Sequence, residues 1–173
     1  MTLPTKDYYV YPQHAAARDA LKAFVTGVFV AMARDSGLAA AQLPWSDDAT
    51  AAAAAADVFE VEMQIANASN FNYELRNSEA MYNPTTLSAL STPGLFSFTR
   101  WAGGLTPPAP ALSAVITTTR TYFPAISSII SRLASPGNQL KLKRYLTWRA
   151  VLPALPHLSA VYTDLHFQFF GKV

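Results

Sequence analysis

Glu60 and Glu62 stand two residues apart, and carboxylates at that interval can serve one metal ion when they lie on a strand, where alternate side chains share a face. The segment around them has helical spacing, however, and on a helix two such residues point about 200° apart. They cannot share one ion unaided. The expectation is that they are solvated, or that one of them pairs with a basic residue elsewhere in the chain. The histidines are His14, His157 and His166, and no two of them are four residues apart. HExxH, the helical pattern that sets two imidazoles on one face for zinc, does not occur. His157 and His166 fall on roughly opposed sides of a straight helix, so a structural or surface role is expected for each histidine.

The chain has no cysteine, which removes thiol nucleophiles, thiolate metal sites and disulfides. It has no Gly-x-Ser-x-Gly elbow, no phosphate loop and no dinucleotide glycine fingerprint. No residue is therefore assigned a catalytic, cofactor-binding or metal-binding role. The formal net charge of +2 is too small to gather nucleic acid. Its one basic cluster, Lys141, Lys143 and Arg144, is expected to be the solvated face of a helix start rather than a phosphate patch. The triplet Asn67-Ala68-Ser69 permits glycosylation, and has meaning only in a secretory pathway.

The elements that carry these residues are mostly helical. With 173 residues, 51% of them hydrophobic, the chain can bury a core, and abundant Ala with scarce Gly favours helix over sheet. Leu3 to Tyr9 is expected to be extended or turned, because Pro4 and Pro12 both resist helix. A helix is expected from about His14 to Ser36, with Leu21, Phe24, Val25, Val28, Phe29 and Met32 in one stripe and Gly37 as terminator. Asp47 or Asp48 can cap a second helix, which runs through Ala51 to Ala56 to about Asn67 on a seam of Ala54, Val58, Val61 and Ile65. Its small residues would let a neighbouring helix come close.

Asn83-Pro84 is expected to break the chain, and Thr85 or Thr86 to cap a short helix with Leu87 and Leu90. Pro93-Gly94 marks a turn, Leu95, Phe98 and Trp101 suggest helical turns that plant aromatics in the core, and 103–110 is a loop. Ala114 to Thr119 is the only convincing strand. A helix from about Phe123 to Leu133 follows, with Asn138 capping the next. Gln139 to Phe170 is expected as two helices or one sharply kinked helix, because Pro153 and Pro156 interrupt the pattern, with Gly171 as the stop. Met1 to Tyr11 holds no apolar run of signal-peptide type, and the apolar stretch Leu21 to Ala33 falls short of the roughly 20 residues that cross a bilayer. A soluble chain without a membrane span is expected, and the lack of cysteine counts against an extracellular setting.

Several segments, in order, resemble the neprilysin and endothelin-converting-enzyme family of zinc metallopeptidases. Leu3-Pro4-Thr5-Lys6-Asp7-Tyr8-Tyr9 is similar to its Leu-Pro-x-[Arg/Lys]-Asp-Tyr-Tyr segment. Val58 to Ser69 resembles its helix with hydrophobic-Glu-Leu-Glu followed by [Ile/Leu]-Ala. Met81-Tyr82-Asn83 with Thr86 to Leu90, the strand-like Val115-Ile116, Leu146-Thr147-Trp148-Arg149 and Phe169-Phe170-Gly171 resemble further family segments.

The resemblance covers nearly the whole chain and implies a mainly α fold with at most one short strand or hairpin. It places residues 1–173 in a single partial domain of the N-terminal, non-catalytic region, the lobe that closes over an internal cavity and restricts substrate size. Zinc, its HExxH helix and the substrate-gripping segment are expected only in a companion catalytic part, which would be the partner of this chain. Family members are often extracellular or membrane-anchored. The prolines 153 and 156, which fall where family members tend to run a long helix, and the lack of cysteine support a second expectation: a stand-alone helical scaffold or subunit of a larger assembly, without peptidase activity.

Overall fold

The computed structural model describes residues 1–35, 43–91, 97, 99–100, 104 and 115–171, and the fold follows from them. The expected terminator Gly37, the Pro93-Gly94 turn, Leu95, Phe98 and Trp101, and the 103–110 loop apart from Gly104 lie outside the described residues. The chain is mainly α, as the sequence implied. Helix α1 (Lys6–Val10) and the 3-10 turn Pro12–His14 lead into the long helix α2 (Ala15–Arg34). Helix α3 (Asp48–Ala68) is followed by strand β1 (Asn83–Thr85) and the short helix α4 (Leu87–Leu90). After strand β2 (Val115–Thr117) come α5 (Tyr122–Ala134), α6 (Gln139–Val151), a 3-10 stretch Leu152–His157, and α7 (Ala160–Phe170).

The core lies where α3 packs against α2 on one side and α6 on the other, with α7 resting on α2. The α2 stripe is as spaced in the sequence: Leu21, Phe24, Val25, Val28, Phe29 and Met32 are all buried. On α3 the buried face is wider than the expected seam, taking in Ala51, Ala55, Glu62 and Ala66, while Ile65 is only partly covered. Aromatic rings lock the layers. Phe24 stacks on Phe169 at 4.6 Å and meets Trp148 edge-on at 5.4 Å. Phe29 stacks on Trp45, whose Nε1 donates to the Phe29 carbonyl at 3.0 Å.

Helix ends follow local chemistry. Asp47 caps α3: its carboxylate accepts the Thr50 amide at 2.8 Å, and the Thr50 hydroxyl accepts the Asp47 amide at 3.0 Å, a reciprocal capping box. Thr86 caps α4 through the Ala89 amide. Pro153 and Pro156 do divide the last stretch, where the helical ladder gives way to 3-10 geometry until α7 begins. Gly171 closes α7.

Three expectations need correction. The segment Leu3 to Tyr9 is not extended throughout, because Lys6–Val10 form a helical turn. Pro4 lies before that turn and Pro12 after it, so neither ring stands where a helical hydrogen bond is needed. Asn83-Pro84 does not simply break the chain: it pairs antiparallel with β2, Asn83 opposite Thr117 and Thr85 opposite Val115. Proline is tolerated in a two-stranded ladder because one of its edges is unpaired. Asn138 occupies the cap position of α6 without capping it, its amide donating instead to the Arg132 carbonyl and the Ser135 hydroxyl.

Candidate functional site

The position of Glu62 on α3 decides its environment. It is four residues beyond Val58 and four before Ala66, on the stripe that faces the core, and it is 0% exposed. A buried carboxylate is costly unless its oxygens are satisfied. Here Oε2 accepts the Tyr9 hydroxyl at 2.5 Å and the Thr2 amide at 3.0 Å, and Oε1 accepts the Thr2 hydroxyl at 2.7 Å. Trp148, itself fully buried, donates its Nε1 to the same Thr2 hydroxyl at 3.0 Å. The Arg149 guanidinium lies 3.9 Å from Oε1, which is an ion pair without a direct hydrogen bond. Burial, with the Glu62 charge next, pushes the Tyr9 phenol far above its ordinary pKa, so Tyr9 remains a donor.

This node joins three separated segments: Thr2 to Tyr9, Val58 to Ala66, and Leu146 to Arg149. Lys6 fastens the first of them again, donating to the Asn67 and Ser69 carbonyls at the end of α3, where a cation offsets the helix dipole. Glu62 has all its near donors from the protein and faces no open cavity through them. Its arrangement suits holding the N-terminal segment in place rather than proton transfer. The burial signal was present in the sequence, since Glu62 falls on the apolar period of α3. What the sequence did not reveal was the set of donors, which come from residues 53 and 60 positions away.

Glu60 points the other way and pairs with Lys141 at 2.5 Å. Lys141 also approaches Asp57 at 3.5 Å, and Arg144 donates to Asp57 at 2.6 Å and to the Pro44 carbonyl at 3.1 Å. The basic cluster is therefore not simply a solvated face. Lys141 and Arg144 clamp α6 onto α3, and only Lys143 is exposed. The Glu60 and Asp57 carboxylates hold the Lys141 ammonium above its usual pKa.

His14 stacks on Tyr8 at 4.3 Å, His166 lies against Phe170 at 4.6 Å, and His157 is exposed at the end of the 3-10 stretch. Among the described residues no three His, Cys, Asp or Glu side chains gather as a metal cluster. Asn67 of the sequon is exposed in the last turn of α3, with the Ser69 hydroxyl donating to the Ile65 carbonyl. Asn83 organises the hairpin, its amide donating to the Ala80 and Thr117 carbonyls and its oxygen accepting Arg120 Nε at 2.5 Å.

Beside the node runs a groove of about 380 Å³ between α3, α5 and α6. Val61, Ile126, Ile129 and Leu142 line it, and Arg149 stands on its margin. A second, more open groove of about 700 Å³ separates the last turns of α2 from α7, with Arg34, Asp35 and Tyr162 among its walls.

The Glu62 node joins three of the segments whose sequence resembles the family's motifs. The sequence profile of Peptidase family M13, in its N-terminal part, matches residues 1–173. The chain belongs to peptidase family M13. The fold is similar to that of the Mycobacterium tuberculosis zinc metalloprotease Zmp1 in its open state, with a TM-score of 0.79, 22% identity and 99% of this chain covered. The crystal structure of the same zinc metalloprotease with an inhibitor gives a TM-score of 0.77 and 21% identity, again over 99% of this chain. The chain spans 24% of the length of each. No curated protein sequence matches it. Among the described residues, no helix is long and apolar enough to cross a membrane.

Proposed function

We propose that residues 1–173 are part of the non-catalytic lobe of a neprilysin-like zinc endopeptidase, where they shape and gate the chamber that admits peptides. The observation that carries this reading is the match of the family's N-terminal profile along the whole chain, joined to a sequence without HExxH. Zinc and the proteolytic step belong, on this reading, to a separate catalytic part. The lobe contributes a rigid wall. The Glu62 node and the α3–α6 clamp fix its helices, so that the entrance size does not relax with each bound peptide.

The test compares the intact peptidase with a form lacking this lobe, on short peptides and on an unfolded protein chain. Gating predicts that the isolated 173-residue chain cleaves nothing, and that loss of the lobe abolishes or broadens the preference for short peptides. Unchanged size preference without the lobe would remove the gating role. The departure at Pro153 and Pro156, realised as the 3-10 break between α6 and α7, favours a second reading, a scaffold subunit derived from this lobe. That reading predicts partners without a zinc motif.

A further inference from the structure

Two Asn-x-Ser/Thr triplets occur in the chain, and the fold treats them oppositely. Asn83-Pro84-Thr85 has proline at its middle position, which excludes it as a glycan acceptor. Asn83 is also 7% exposed, and its side-chain nitrogen donates to the Ala80 and Thr117 carbonyls. Asn67-Ala68-Ser69 has no such bar. Asn67 stands exposed in the last turn of α3, and no hydrogen bond from a described residue holds its side-chain amide.

The surroundings leave that amide able to carry a large group. Lys6 clasps this end of α3 through the backbone carbonyls of Asn67 and Ser69, at 3.1 and 3.0 Å, and so without engaging the Asn67 amide. The same ammonium lies over the Phe71 ring, 4.3 Å from its centre. The backbone turns extended at Ser69, whose hydroxyl donates to the Ile65 carbonyl at 2.9 Å. A glycosyl transferase needs that hydroxyl beside the acceptor amide. Modification therefore precedes closure of the last turn of α3, and the closed turn then presents the product to solvent.

We propose that Asn67 is an N-glycosylation site, modified as the chain enters a secretory lumen. The co-reactant is an oligosaccharide carried on a lipid pyrophosphate. A bond forms from Asn67 Nδ2 to C1 of the first sugar as the C1–O bond to the pyrophosphate breaks. The amide gives up one proton, and the lipid pyrophosphate leaves with the bonding electron pair. The inference goes beyond the lobe reading above and does not depend on it. It assigns the chain to the secretory route, and it keeps the end of α3 in solvent in the assembled protein, because a bulky glycan there excludes a packed neighbour.

The test takes the natural full-length product from its own cells, removes N-glycans with peptide-N-glycosidase in heavy-oxygen water, and maps its peptides by mass. The enzyme converts a glycosylated asparagine to aspartate and leaves one heavy oxygen at that position. The expected result is this mark on most of the Asn67 peptide and none on the Asn83 peptide. Deglycosylation should also shift the protein on a gel, and that shift should vanish in Asn67→Gln and Ser69→Ala but survive in Ser69→Thr, which keeps a hydroxyl. Mapping the unsubstituted protein needs no variant to fold. An Asn67 peptide recovered unmodified from nearly all of the protein would overturn the proposal. A gel shift that persists undiminished in Asn67→Gln would overturn it equally.

Discussion

Tyr9 and Glu62 hold the first residues of the chain to its central helix through one short hydrogen bond between two buried side chains. Removing the phenol oxygen leaves the carboxylate short of a donor in a place water cannot reach. Tyr9→Phe is expected to cost about 1–3 kcal/mol, read from urea unfolding of variant and parent. A loss well below 1 kcal/mol would mean that another donor, such as Arg149, takes over. The tyrosines also set an alkaline limit. Burial, aided by the Asp35 hydrogen bond and charge, raises Tyr162 to about 12, and burial with the Glu62 charge raises Tyr145 to about 12. A group whose folded pKa is raised contributes stability that is complete below its unfolded value, about 10, and is lost as pH rises toward the folded one. Urea midpoints should be level with respect to these groups up to about pH 10 and fall between about pH 10 and 12. Double replacement of Tyr145 and Tyr162 by Phe should lessen that fall, with the raised Tyr9 phenol supplying what remains.

At the level of elements, α3 carries the fold. Its outer face is clamped by Asp57 to Arg144 and Lys141, and these side chains are largely shielded from solvent, at 22%, 13% and 23% exposed. Asp57→Asn leaves the guanidinium facing a neutral amide and is expected to cost about 1–3 kcal/mol, with a smaller loss for Glu60→Gln at the more exposed end of the clamp. Between α2 and α7 the close point is Gly27, where an added Cβ would stand 3.1 Å from Leu165 Cδ2. Gly27→Ala should be near neutral, because the gain in helix propensity offsets a small shift of Leu165. Gly27→Leu should cost about 1–3 kcal/mol in the same unfolding measurement, since the two helices cannot separate without opening the core.

Most of these elements could be read in the sequence because they depend on local rules. Periodicity gave α2, α3, α5 and α6 to within a residue or two; of the paired alternatives Asp47 or Asp48 and Thr85 or Thr86 the structure uses Asp47 and Thr86, and it realises the ends at Pro153 and Gly171. The misses share another cause. Strand β1 depends on a partner 32 residues away at β2, and a Pro at its centre hides it from any local pattern. The donors to Glu62 come from Thr2 and Tyr9, and the acceptors for Arg144 from Asp57 and Pro44, so each pairing required tertiary structure. Glu62 was expected to be solvated or paired with a basic residue and is instead fully buried; its place four residues from Val58 and from Ala66 is the signal that reading passed over.

Among the described residues, several large apolar side chains are exposed. Phe167 at 70%, Tyr82 at 61%, Ile116 at 59%, Val161 at 58% and Leu146 at 55% spread over several faces. A lobe that packs against a larger body is expected to show such a surface, and the chain spans 24% of the length of the zinc metalloprotease structures it resembles in fold. Isolated, it should bind a hydrophobic dye and self-associate in sedimentation, with association weakening at low concentration. A monomer without dye binding would indicate a surface adapted to standing alone.

The central claim is that this lobe works with a catalytic part, and the most direct measurement is the intact mass of the native chain isolated under mild conditions with whatever stays bound. The account predicts either a chain much larger than 18.8 kDa or a co-purifying HExxH polypeptide, with peptidase activity lost on chelation. A chain near 18.8 kDa, bound only to proteins without a zinc motif and without such activity, would contradict it and identify a scaffold descended from the peptidase lobe.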